Sequence, residues 1–336
     1  MILTVSTQSP VDSLLPYRPA ATLSQLEIMR QQSERTLTQT PPADVQHRAW
    51  ELGNLAGITF SLGDGPAALD SVQRAIRAAE ESAQVGLRAY LQNTLGAVLC
   101  YQGQYAQARA AFQQAERIFA GVGDSLGAAW NQHLLAREYL RDWREYREAI
   151  RYLDMSLPVL RSRGNPEVIV EHLLTRASCL LPHGEVRHAR ELLAQAEGVI
   201  VEGKCYWYRP ELYLLRAEIS ILENEIRKAW QHCYDGLGMI SDHGDLRLLP
   251  AIYLTLATAL EYDRTRIDDA RDALERSINA ARTRGRKLNL ALALRKMGQH
   301  LKRFSVRPTT RARGAGFLFE AAQLFREMGL SEVYSA

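Results

Sequence analysis

Apolar residues recur along most of this chain at steps of three and four, the spacing that places side chains on one face of an α-helix. The clearest stretch is Asn93 to Phe119, NTLGAVLCYQGQYAQARAAFQQAERIF. Leu95, Val98 and Leu99 form one apolar stripe, and Gly96 leaves a gap in it. Gln102 and Gly103 interrupt the pattern, because glycine ends a helix in the left-handed conformation without strain. Tyr105, Ala108, Phe112, Ala115 and Phe119 then make a second stripe. The spacing predicts two helices folded back on each other, with Gly96 facing Ala108 and Ala115 so that the backbones approach closely.

The unit repeats. Leu55-Ala56, Gly63, Ala68, Val72 and Ala75 stand 40 positions before their counterparts, and Leu135-Ala136 and Tyr139 stand 40 after. In that third copy the turn Arg141 to Arg144 is one residue longer, so Tyr146, Ala149 and Leu153 fall 41 on. Degraded copies follow at Ala177 and Leu180, at Ala217 and Ala229, at Leu256-Ala257 and Ala270, and at Met297-Gly298 with Phe319. The joints repeat as well. Gly123, Gly164, Gly203, Gly244 and Gly285 recur every 39 to 41 residues. Asp124, Asn165 and Asp245 follow three of them, so a left-handed stop and a helix-capping side chain are expected in succession.

The pattern divides the chain into an extended arm over 1–21, a capping helix with its linker over 22–44, and a superhelical array over 45–330. Thr22 or Ser24 opens the capping helix and Pro41-Pro42 ends it. The units of the array are expected near 45–84, 85–123, 124–164, 165–203, 204–244, 245–285 and 286–329. The last contains an insertion, Phe304 to Gly314, expected to be flexible.

The order Leu95-Gly96, Leu99, Gly103, Tyr105, Ala108, Phe112, Ala115 resembles the tetratricopeptide repeat. Gln92 stands where that motif has its leading Trp, Leu99 where it has its first aromatic, and Ala120 where it has its closing Pro. The step near 40 is similar to that of kinesin light chain and of the sensor arrays of bacterial regulators. The resemblance implies an all-α, right-handed α-solenoid of about seven helical hairpins, its concave wall lined by the first helix of each. It also implies a role in holding a partner.

Composition agrees with the fold. Apolar residues make up 46% of the chain, enough for a continuous core, and β-branched runs are nearly absent. Four cysteines lie far apart with no Cys-x-x-Cys pair, which points to a reducing, cytoplasmic setting. The N-terminus lacks the basic and apolar regions of a signal peptide, and no run of about 18 apolar residues suggests a membrane span. There is no phosphate loop, no His-Glu-x-x-His and no Gly-x-Ser-x-Gly, so no catalytic residue, metal or cofactor is expected. His183 and His188 read as surface residues, and Cys205 with Tyr206, Trp207 and Tyr208 as a loop's hydrophobic anchor.

Two binding features remain. In the frame of the resembling family, Trp50, Tyr90 and Trp130 occupy the second position of successive first helices, which faces the groove. They either form an aromatic ladder for an extended peptide or pack between adjacent repeats. Asn54, Asn93, His133 and Arg137 lie on or near the same face as candidate hydrogen-bonding partners. The fifth and ninth positions hold Gly53 and Gly57, Asn93 and Ala97, His133 and Arg137, with no Lys, so a carboxylate clamp for chaperone tails is not expected.

The second feature is charge. Arg276 to Phe319 carries twelve Lys or Arg residues and no Asp or Glu. The chain has 41 basic and 38 acidic residues, so the remainder is 29 against 38, a net of −9. Arg286, Lys287, Arg295, Lys302, Arg303, Arg307, Arg311 and Arg313 are the candidate contacts for an anionic partner. An acidic protein segment ranks above nucleic acid, because no aromatic interleaving of the kind that stacks bases accompanies the basic residues beyond Phe304. A homo-oligomer joined through this basic end is a further possibility. The expected function is a non-enzymatic protein-interaction scaffold binding a peptide or protein segment. The alternatives are a ligand- or peptide-sensing regulatory module and a nucleic-acid binder.

Overall fold

A computed structural model describes residues 22–162, 165–243 and 245–334. The expected N-terminal arm, Gly164 and Gly244 lie outside the described residues. Fifteen α-helices and no strands occur among them. α1 (Leu23–Gln39) is a lone helix, and the others pair consecutively. The pairs are α2 (Val45–Ser61) with α3 (Gly65–Glu81), α4 (Val85–Tyr101) with α5 (Tyr105–Val122), and α6 (Ser125–Leu134) with α7 (Tyr146–Arg161). Then come α8 (Pro166–Leu180) with α9 (Val186–Glu202) and α10 (Arg209–Leu222) with α11 (Ile226–His243). α12 (Leu249–Leu260) with α13 (Ile267–Arg284) and α14 (Lys287–Phe304) with α15 (Pro308–Glu327) complete the series. Each pair stacks on the next, making an all-α solenoid.

Local chemistry sets the ends. Thr22 caps α1: its hydroxyl oxygen accepts from the Gln25 N–H, and the Gln25 side chain accepts from the Thr22 N–H. Gly63 turns the α2–α3 hairpin at φ +75° and Asp64 caps α3 through the Ala67 N–H. The expected joint between hairpins appears after α5, where Gly123 takes φ +70° and Asp124 accepts from the Gly127 N–H at 2.8 Å. Asn165 and Asp245 also cap, accepting from Glu167 and Arg247. Gly285 is left-handed, but Gly203 is not: Lys204, one residue on, takes φ +53° instead.

Three expectations change. Gly96 does make room, but for the Phe112 ring: a Cβ there would meet it at 2.7 Å. The extra residue of the third hairpin is absorbed not only in its turn but in a wide helical segment, Leu135–Leu140, where the Arg141 N–H reaches back five residues to the Ala136 carbonyl. The segment expected as a flexible insertion is largely helix. α14 runs through Phe304, and α15 begins at Pro308, whose missing N–H costs nothing at a helix start. Gly298 and Gly314 then let α14 and α15 touch backbone to backbone, with a Cβ on Gly298 falling 2.7 Å from the Gly314 carbonyl.

The two ends of the solenoid meet. Tyr334 donates its hydroxyl to the Asp142 carbonyl at 2.8 Å, and the Arg144 guanidinium lies 4.2 Å over the Tyr334 ring. Arg284 donates to the Leu62 carbonyl, Arg286 lies over Tyr101 and Arg247 over Phe60. The turns of the first three hairpins are thus held against the last two and the C-terminal Tyr334.

Candidate functional site

Closure of the solenoid leaves a lumen of about 310 Å³ that stays open to solvent on one side. It is lined from the first helices α8, α10, α12 and α14, from the wide segment after α6, and by Tyr334. Its wall is charged. Glu138, Asp142, Glu211, Glu218 and Asp245 face Arg137, Arg141, Arg247 and Arg286.

Arg137 is the hub. It is 5% exposed and reaches the carboxylates of two successive hairpins, Glu171 at 3.6 Å and Glu211 at 3.1 Å. Glu171 also accepts from the Tyr208 hydroxyl at 2.9 Å and lies 3.2 Å from His133 Nε2. Burial alone would raise the Glu171 pKa, yet Arg137, His133 and Tyr208 together hold it below the usual carboxylate range. The wide turn positions this hub: Arg137 and Glu138 both sit within Leu135–Leu140.

Glu218 behaves oppositely. Burial pushes its carboxyl up to about 7 against the pull of Arg141, and Glu211 adds to the shift. A carboxyl whose folded pKa lies above its unfolded value near 4.5 contributes stability that is full below that value and is lost as pH rises through 7. Glu218→Gln should therefore stabilise the protein at pH 8 and change little at pH 5. Denaturant midpoints at the two pH values check this; equal shifts at both would contradict it.

The groove candidates divide. His133 and Arg137 belong to the buried network. Tyr90 and Trp130 are each 3% exposed, so of the two readings offered for them they follow the packed one. Tyr90 packs edge-on against Phe119 and donates to Asp124 Oδ2 at 2.8 Å, so one carboxylate both caps α6 and anchors the preceding hairpin. Trp130 stacks on His133 at 5.2 Å. Asn93 is fully buried, and Trp50 and Asn54 are half-buried on α2.

The basic candidates divide too. Arg286 and Arg295 serve the closure, Arg295 donating to the Tyr334 carbonyl at 3.0 Å. Lys287 pairs with Glu327 at 3.4 Å. Lys302, Arg303, Arg307, Arg311 and Arg313 are exposed around the α14–α15 turn. Arg311 is tied to the Ser305 carbonyl at 2.8 Å. The four cysteines are free and buried, with Cys205 and Tyr208 in a core cluster and Tyr206 and Trp207 packed against it. No helix of the described residues is long and apolar enough to cross a membrane.

Sequence reasoning missed the acidic half of the lumen. A signal was present: Glu171 and Glu211, the two carboxylates Arg137 reaches, stand 40 apart at equivalent places on successive first helices.

The described helices form an all-α helical-repeat solenoid. Residues 87–162 match the tetratricopeptide repeat family model. No curated protein matches the sequence. Among solved structures, the chain is similar to a Rap protein complexed with Competence and Sporulation Factor, with TM-score 0.66 and 15% identity over 95% of this chain and 83% of that one. It is also similar to aspartyl phosphate phosphatase F from Bacillus subtilis, with TM-score 0.57 and 16% identity over 94% and 79%. Identity this low carries the fold alone.

Proposed function

We propose that this chain is a non-enzymatic regulatory adaptor that holds a peptide or protein segment in its lumen. The observation that supports the reading is the charged lumen itself, lined by residues of five successive hairpins. Burying so many ionisable groups is costly, and a wall selected for stability alone would be apolar. A charged wall open to solvent instead suits recognition of an extended segment through its polar groups. The Rap protein whose fold this chain shares is itself complexed with a factor, which agrees with a binding role. The exposed basic residues of the α14–α15 turn are proposed as a second contact, for an acidic stretch of the same partner.

Ala251 lines the lumen on α12, and Ala251→Trp would fill it. Peptides selected from a random display library against the full chain are expected to bind Ala251→Trp at least about tenfold more weakly, a loss of about 1.4 kcal/mol. Far-UV helicity should be unchanged. Peptides that bind both proteins equally would remove the lumen from the account.

A further inference from the structure

A second cavity lies away from the lumen, where α5, α7 and the wide segment of the third hairpin diverge. Its volume is about 180 Å³. We propose that this crevice binds an organic cation, an alkyl-guanidinium or alkyl-ammonium group.

Three features of its wall point the same way. Asn131 lines it, is 3% exposed, and its Oδ1 has no hydrogen-bond partner. An unpaired buried acceptor carries a desolvation cost, so a donor arriving there is rewarded. Glu116, Glu145 and Glu148 stand around the same cavity and set a negative field, in which Glu148 is partly offset by Arg151 at 2.9 Å. Tyr139, one face of which stacks on Trp143, and Tyr152, over which the Arg151 guanidinium lies at 5.1 Å, supply aromatic wall of the kind on which guanidinium and ammonium groups rest favourably. Acceptor, carboxylates and aromatic faces together select a cation that carries N–H donors.

A bare metal ion fits less well. Among the described residues no three His, Cys, Asp or Glu side chains are grouped to hold one. Arg109 is the one cation among the lining residues, and its side chain interacts with Tyr139. It competes with an incoming cation for the same field, so its removal should help binding.

The test uses the full chain and isothermal titration with two probes, agmatine and the peptide acetyl-Gly-Arg-Gly-amide. Butylurea and butyrate serve as neutral and anionic controls of similar size. Saturable binding of at least one cationic probe, and of neither control, is expected. Asn131→Leu should weaken that binding about tenfold. It should also leave the thermal midpoint unchanged or raised, because it removes an unpaired buried polar atom. Glu148→Gln should weaken binding about threefold, with the effect shrinking in high salt. Arg109→Ala should strengthen it. Agmatine bound as well as the peptide identifies a free amine as the source, and peptide bound alone identifies a side chain of a polypeptide. No saturable binding by either probe, butylurea binding as well as agmatine, or an Asn131→Leu variant that binds normally would each overturn the proposal.

Discussion

Arg137→Ala is expected to destabilise the protein by about 3–5 kcal/mol, the range for breaking a buried ion pair from one side. The size follows from what is left behind. Glu171 and Glu211 are 2% and 6% exposed, and both depend on the same guanidinium. Glu211 retains Arg141 at 3.8 Å, and Glu171 retains His133 and Tyr208, so the network would be crippled rather than emptied. Converting the whole set, with Arg137→Met, Glu138→Gln, Glu171→Gln and Glu211→Gln together, should recover most of the loss, because every carboxylate that Arg137 pairs with is then neutral. The pH dependence carries a sign. The Glu171 carboxyl titrates below its unfolded value near 4.5, so its contribution is full above that value and is lost as pH falls through the folded one. The deficit of Arg137→Ala should therefore shrink on acidification. Urea denaturation at pH 7 and pH 4 measures it; a deficit equal at both values would show that packing of the Arg137 stem, not charge, was lost.

How much of this was legible beforehand depends on which force set each feature. Hairpin architecture was readable because it rests on local rules: apolar steps of three and four, Gly63 and Gly103 in left-handed turns, Asp124 after Gly123. These signals sit within a few residues of the structure they produce. The expectation for Gly96 failed in detail because the ring that fills a gap is chosen by three-dimensional packing, and Phe112 competes with Ala108 and Ala115 for one space. The extra residue of the third copy was visible as a step of 41, but where it would be absorbed was not. A turn and a wide helical segment satisfy the same count, and only the segment carries Arg137 and Glu138 into the lumen.

The lumen was the least legible part. Tyr334 and Asp142 are 192 residues apart, and Arg284 and Leu62 are 222 apart. No periodicity of one repeat predicts that the ends of the array meet. The same closure turns Arg286 and Arg295 from candidate surface cations into internal contacts, leaving the charge run exposed mainly near the α14–α15 turn.

Gly127→Ala is expected to destabilise the protein, although alanine is the better helix former by about 0.8–1 kcal/mol. A Cβ at that position would lie 2.1 Å from the Phe119 ring, which is itself fully buried and packed against Tyr90. The ring has nowhere to go, so overpacking of about 1–3 kcal/mol should outweigh the gain in propensity. Gly121 provides the control on the preceding helix, since a Cβ there would meet nothing within 4 Å. Gly121→Ala should be neutral or stabilising, by up to about 1 kcal/mol. Phe119→Leu alone opens space and should cost stability, but combined with Gly127→Ala it relieves the clash. The pair should show a favourable coupling within about 0.5–3 kcal/mol, the range for residues in contact. Thermal melts of the two single variants, the double variant and Gly121→Ala measure every arm. Strict additivity of the pair would mean that Gly127 does not owe its place to the Phe119 ring, and the tight joint between the second and third hairpins would need another cause.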